Sequence, residues 1–237
     1  MTGTLRTRIA TLAGVLVLGL GAFAIAEEIE GTDEPDTING TEQADQIEGG
    51  RADDTINGLG GDDTLDGNGD SDTIDGGEGN DKVFGAGCEV GELGRICDNV
   101  GRDTLRGGPG DDDLRANECV NLPDCQAATN LSLGTRMRGG IGNDTLRGAE
   151  KRDIIRGGTG DDTAHGFLGR DKLRGGRGND TLDGGGGRDR VRGGPGRDVI
   201  EARDGKRDRV RCGKGRDRAM VDKKDRVRGC EQVVRGG

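Results

Sequence analysis

Written nine residues to a line, most of this chain falls into one pattern. Residues 31–84 give six units, from GTDEPDTIN to GGEGNDKVF, residues 98–115 give two, and residues 139–201 give seven. The sixth position is Asp in all 15 units and the first is Gly in 14. The eighth is Ile, Leu or Val in 14 and Ala164 in the other. A period kept this strictly restricts the chain to a small unit that buries little alone and must stack on copies of itself. A single apolar residue between polar neighbours points inward from a short strand, because strand side chains alternate faces. Thr at the seventh position, as in Thr37, Thr55, Thr64, Thr73, Thr145 and Thr181, suits the outer face of that strand. A flexible Gly/Asp linker would not place an apolar residue at every ninth position.

Composition shows that stacking alone is not enough. From residue 27 onward, Leu, Ile, Val and Phe number 35 of 211 residues, and the whole chain has 50 Gly, no Trp and no Tyr. Such a composition ordinarily reads as disordered. So little apolar burial does not offset a backbone ordering cost of about 1–2 kcal/mol per residue. Something other than a hydrophobic core must fold the chain. The same inventory argues against catalysis. His165 is the only His, at a ninth position and so expected to be exposed without a role, and Ser71 and Ser132 are the only Ser. A Ser/His/Asp triad or multi-His zinc site is therefore not expected, and no aromatic wall is present to desolvate a glycosidase carboxyl. No enzymatic activity is expected.

The units resemble the G-G-x-G-x-D-x-U-x nonapeptide of the RTX family, the hemolysin-type calcium-binding repeats, where U is apolar. Seven units fit it fully, those starting at Gly76, Gly107, Gly139, Gly157, Gly175, Gly184 and Gly193. The resemblance implies an all-β fold, a right-handed parallel β-roll or solenoid in which each nonad makes a six-residue turn and a three-residue strand. Two nonads then form one coil, with Ca²⁺ between successive turns on the same side. The implied ligands are backbone carbonyls and the sixth-position carboxylates Asp54, Asp63, Asp72, Asp81, Asp103, Asp112, Asp144, Asp153, Asp162, Asp171, Asp180, Asp189 and Asp198.

The residue types support that chemistry independently. Ca²⁺ is a hard cation that takes six to eight oxygens, and glycine turns bring carbonyls close to an ion. An EF-hand is excluded because Asp70-Ser71-Asp72-Thr73-Ile74 puts Ile where a ligand is needed. An ice-binding roll is excluded because repeat position three holds Asp33, Glu42, Arg51, Gly60, Gly69, Glu78 and Thr159, not a row of Thr. If units n and n+2 stack, Asp144, Asp162, Asp180 and Asp198 share one side. The opposite side carries Arg152, Arg170 and Arg188 at the fifth position, where weaker calcium binding is expected.

The remaining segments set the expected domains. Residues 1–26 read as a secretory signal peptide: Arg6 and Arg8, an apolar run from Ile9 to Phe23, and an Ala24-Ile25-Ala26 cleavage site. The run is too short to span a membrane, so a secreted, extracellular protein without a membrane span after cleavage is expected. The roll is expected over 27–201, with disulfide-closed insertions near 85–98 (Cys88, Cys97) and 116–138 (Cys119, Cys125). Residues 202–237 are expected to form an Arg-rich cap of degenerate repeats stapled by Cys212 and Cys230. Six cysteines allow 15 pairings, and the repeat phase favours these. Net charge runs from −19 over residues 27–100, through 0 over 101–201, to +7 over 202–237. The expected partners are calcium ions. The alternative is an adhesive or cell-wall-associated protein that uses the roll as a spacer and its basic end to touch wall polysaccharide or another extracellular polyanion. Nucleic acid is not expected, since no aromatic residue stacks bases there.

Overall fold

The structure, a computed structural model, describes residues 6–8, 28–85, 89–91, 94–96, 102–116 and 134–236. The expected signal peptide, apart from the strand Arg6–Arg8, and the four cysteines Cys88, Cys97, Cys119 and Cys125 lie outside the described residues. Among the described residues every regular element is a β-strand. None of them belongs to a helix long and apolar enough to cross a membrane.

Apart from two sheets of two short strands, the strands alternate between two sheets, one of 12 strands and one of 10. Within the repeats all pairing is parallel, and each residue pairs with its counterpart one coil away. Thr37, Ile38 and Asn39 face Thr55, Ile56 and Asn57, and Thr145, Leu146 and Arg147 face Thr163, Ala164 and His165. One coil is therefore two nonads, and the chain is a parallel β-solenoid. The eighth-position residues form a single file of core from each sheet. Leu65, Leu105, Leu146, Leu173 and Ile200 are all 0% exposed, and the whole file packs as one cluster.

The register survives both interruptions of the repeat. Thr104 pairs with Thr73 across the first, within which Glu89–Gly91 and Gly94–Ile96 form a small antiparallel hairpin. The second interruption returns to the roll earlier than the 116–138 boundary expected from sequence. Strand Arg136–Ile141 pairs with Thr104–Pro109 and Ile154–Thr159, and Met137, 2% exposed, stands in the core between Leu105 and Ile155. Residues 134–138 are thus the end of a degenerate unit, with Thr135, also 2% exposed, at the place of the aspartate.

Beyond residue 201 the coils continue with slipped spacing. Arg209 faces Arg190 and Arg226 faces Arg209, with Val210 buried in the core file. Cys212 and Cys230 are disulfide-bonded, their Cα atoms 5.1 Å apart, joining two neighbouring coils. The last strand, Gln232–Arg235, leaves Val233 and Val234 exposed.

Candidate metal centre

Each turn is shaped by what its glycines must avoid. Gly176 and Gly178, at the second and fourth positions of one unit, have φ of 141° and 131°. A Cβ on either would overlap the carbonyl oxygen of the glycine stacked below it, Gly158 or Gly160. Only glycine adopts this left-handed backbone without strain, and it lets turn carbonyls of successive coils lie close together along the stack.

Beside those carbonyls run two rows of buried aspartates. In the turns that enter the 12-stranded sheet, Asp63, Asp81, Asp112, Asp144, Asp162, Asp180 and Asp198 form one row, each at most 2% exposed. In the turns that enter the 10-stranded sheet, Asp54, Asp72 and Asp103 form the second row, which passes through Thr135 to Asp153, Asp171 and Asp189. All 13 sequence-expected aspartates fall in these rows. Along each row, one carboxylate oxygen accepts the backbone N–H of the sixth residue of the preceding coil. The Asp144 amide donates to Asp162 Oδ1 at 3.0 Å, that of Asp162 to Asp180 Oδ1 at 3.0 Å, and that of Asp153 to Asp171 Oδ1 at 2.8 Å.

The rows extend further than the expected set. Asp45 and Asp217 prolong the first row, which closes on Glu231, whose Oε2 accepts the Asp217 amide at 2.8 Å. Asp36, Asp208 and Asp225 prolong the second.

The other oxygen is the informative one. In 13 aspartates Oδ2 is buried and has no hydrogen-bond partner: Asp54, Asp63, Asp72, Asp81, Asp112, Asp144, Asp162, Asp171, Asp180, Asp189, Asp198, Asp208 and Asp217. A buried anionic oxygen without a partner is costly, and burial holds most of these carboxyls, like the capped Asp153, above their usual range. Loss of hydration is the main cause in every case, opposed by the amide donor and reinforced in most by carboxylates of adjoining coils. It raises Asp54, Asp63, Asp162, Asp180 and Asp189 from 3.8 to about 6, Asp112, Asp144 and Asp208 to about 7, Asp171 to about 8 and Asp72 to about 9. Such rows of carboxylates favour whatever neutralises them, a cation or a proton. Among the described residues no three His, Cys, Asp or Glu side chains converge on one point. An ion between two coils would therefore combine stacked carboxylates with turn carbonyls, an all-oxygen donor set that suits Ca²⁺.

The sequence profile of the RTX calcium-binding nonapeptide repeat matches residues 30–65, 57–87, 98–118, 138–166 and 165–200. The chain belongs to the RTX calcium-binding repeat family. No individual curated protein matched it. RTX nonapeptides are calcium-binding repeats, and the β-roll they build is a structural fold.

Not every RTX turn in this roll is alike. The two GT-initial units cap their own carboxylates: the Thr32 and Thr41 amides donate to Asp36 Oδ2 and Asp45 Oδ2 at 2.7 and 2.6 Å. Ala149 at the second position of its unit does the same for Asp153 Oδ2, at 2.8 Å. A second residue outside the left-handed region thus turns its amide onto the oxygen, whereas Leu59, Asn68 and Phe167, at φ of 81°, 64° and 66°, leave Asp63, Asp72 and Asp171 open. Asp153 and Asp103 therefore stand apart from the other 11 expected ligands, whose Oδ2 is open.

The two sides also differ at the fifth position. On the side of Asp144, amides and side-chain oxygens form a second, exposed ladder through Asp62, Asn80, Asp111, Asn143, Asp161 and Asn179, with links of 2.6–2.8 Å. These donors hold the Asp161 carboxyl below its usual range. On the other side the equivalent ladder runs from Asp53 to Ser71 and Arg102, and Arg152, Arg170 and Arg188 then line a shallow pocket around Asp171. Sequence spacing marked those arginines but not the Asn/Asp ladder opposite.

Proposed function

We propose that this RTX protein is a secreted, non-catalytic calcium-binding scaffold, folded by Ca²⁺ held between stacked turns. The ligands are the sixth-position aspartates whose Oδ2 is left open, among them Asp63, Asp81, Asp112, Asp144, Asp162, Asp180 and Asp198, and on the other side Asp54, Asp72, Asp171 and Asp189. The single observation that carries this reading is the set of 13 buried carboxylate oxygens without a partner. Bound calcium supplies positive charge and further coordination where the chain has neither. The chain's own part is to hold each carboxylate by one amide, to present carbonyls from left-handed glycines, and to keep water away by stacking.

The test is a calcium titration of the chain from residue 27, followed by far-UV circular dichroism and hydrodynamic radius. In chelator the protein is expanded, and calcium brings β signal and compaction together. Millimolar Mg²⁺ substitutes poorly, because it prefers a smaller rigid octahedral shell. Identical spectra and radii with chelator and with calcium overturn the reading.

A second role, an extracellular spacer that touches a polyanion, is favoured by a different observation. Arginines are stacked on the outer face of the 10-stranded sheet, not confined to the C-terminal segment.

A further inference from the structure

On the 10-stranded sheet the ninth position of every coil from residue 106 onward is arginine. Arg106 faces Arg138, and the row continues without a gap through Arg156, Arg174 and Arg192 to Arg211 and Arg228. Seven guanidinium groups therefore stand in line at the strand spacing of about 4.8 Å. Arg106 is paired with Asp75 at 3.5 Å. The other six are exposed and make no ion pair among the described residues. Two positions earlier on the same face runs a parallel row of Arg136, Lys172, Arg190, Arg209 and Arg226, broken only by Ile154. Around the corner stand Arg152, Arg170 and Arg188.

Like charges directly opposite one another on neighbouring strands are destabilising, and nothing in the packing of the roll requires them. The 12-stranded sheet of the same coils carries Arg115, Arg147, His165, Asp183, Glu201 and Met220 at the equivalent positions, two arginines and then none. The accumulation thus belongs to one face of one half of the chain. Arg138, Arg156 and Arg174 also border an open groove of ≈ 380 Å³ whose floor is the bare backbone of Gly157, Gly158, Gly175 and Gly176. An extended polymer can lie there against main chain with cations along one wall.

We propose that this face binds a linear sulfated polysaccharide. The proposal rests on the spacer role above and names its partner. A polymer with an anionic group on each sugar ring repeats on a length close to one strand spacing, so successive sulfates meet successive arginines. Guanidinium groups present paired N–H donors to planar faces of oxyanions and are weakly hydrated, which suits sulfate esters, and 11 of the 12 basic residues in the two rows are Arg. A polycarboxylate would compete for the calcium between the turns, since carboxylates are the hard ligands that ion prefers. Nucleic-acid single strands gain affinity from base stacking, and no aromatic residue lies in either row.

The experiment uses the chain from residue 27 in saturating calcium. Isothermal titration is performed with heparin-derived oligosaccharides of defined length, with oligouronates of equal length, and with single-stranded DNA. Affinity for the sulfated series is expected to rise with length and to level off near seven rings, to fall steeply with salt, and to exceed that for both other polymers. The triple variant Arg156→Ala, Arg174→Ala, Arg192→Ala, all at exposed sites, is expected to bind at least roughly tenfold more weakly while its calcium-induced dichroism is unchanged. Absence of binding, equal or tighter binding of oligouronate or DNA, or full affinity in the triple variant would overturn the proposal. So would binding by a chain that dichroism shows to be unfolded in chelator, since the rows exist only in stacked coils. A chain that stays folded in chelator and still binds counts against the calcium reading and leaves this one standing.

Discussion

Acid should replace calcium in part. Asp162 has its carboxyl raised from 3.8 to about 6 by burial. At pH 8 its ionisation therefore opposes folding by about 3 kcal/mol, at 1.36 kcal/mol per pH unit of displacement. A domain of this size is held by only about 5–15 kcal/mol in total. Asp63, Asp180 and Asp189 carry the same displacement, and Asp171 and Asp72 a larger one, to about 8 and about 9. The ion-free roll cannot hold all of these groups ionised. The sign follows from linkage: the folded state binds protons more tightly than the unfolded chain, so the stability from these groups is whole below pH 3.8. It is lost as pH rises through about 6 for most of them and through 8 to 9 for the last two. In excess chelator, lowering the pH from 8 to 4.5 is therefore expected to restore β signal, reduce the hydrodynamic radius and slow proteolysis. In saturating calcium the same step between pH 8 and 6 should change little. Circular dichroism and dynamic light scattering at low protein concentration read both. If the chelated chain is equally disordered at pH 8 and pH 4.5, or equally folded at both, desolvated carboxylates are not what keeps the ion-free roll apart.

Three further outcomes follow from named residues. Asp162→Asn keeps the acceptor for the Asp144 amide but replaces an open carboxylate oxygen, and should raise the calcium midpoint for folding more than Asp171→Asn, whose turn is flanked by Arg152, Arg170 and Arg188. Equal midpoint shifts would show that these arginines do not mark a weaker side. Gly178→Ala forces a Cβ onto the Gly160 carbonyl at φ 131° and should cost more than about 2 kcal/mol in chemical denaturation with calcium present, where an unchanged midpoint would contradict the stacked-carbonyl geometry. Reduction of Cys212–Cys230, which closes a loop with a sequence separation of 18, should lower stability by about 3 kcal/mol, measured by comparing oxidised and reduced protein in urea.

The nine-residue period made the strands and their inward residues legible, because a single apolar residue between polar neighbours has only one way to face. All 15 eighth-position residues are buried. The carboxylate rows were legible for the same reason, since identical spacing stacks identical residues. What escaped was whatever broke the two marks used to find a unit. The nonad ending in Arg138 has Asn130 and Thr135 in place of Gly and Asp, and only Met137, nine residues before Leu146, still pointed to it. The self-capping of Asp36, Asp45 and Asp153 depends on where a second-position amide points, which no side-chain pattern encodes. The arginine rows are invisible along the sequence because neighbours on the sheet are one coil apart, and they show only when alternate units are read together.

The unbroken pairing of Thr73 with Thr104, 31 residues apart where an uninterrupted coil of two nonads needs 18, bears on how such a chain can change in length. Every contact between coils links a residue to its own counterpart, so no part of the roll senses how many coils lie beyond the adjacent one. Adding or deleting a whole coil leaves each surviving contact as it was, and stability changes by one unit and one junction. An excursion that departs and returns at a turn costs only loop closure, which grows by about 0.6 kcal/mol per doubling. Gene duplication and loop insertion can therefore lengthen, shorten or decorate this protein without retuning the rest, whereas losing a single residue within a strand would turn every side chain after it, up to the next turn, to the wrong face.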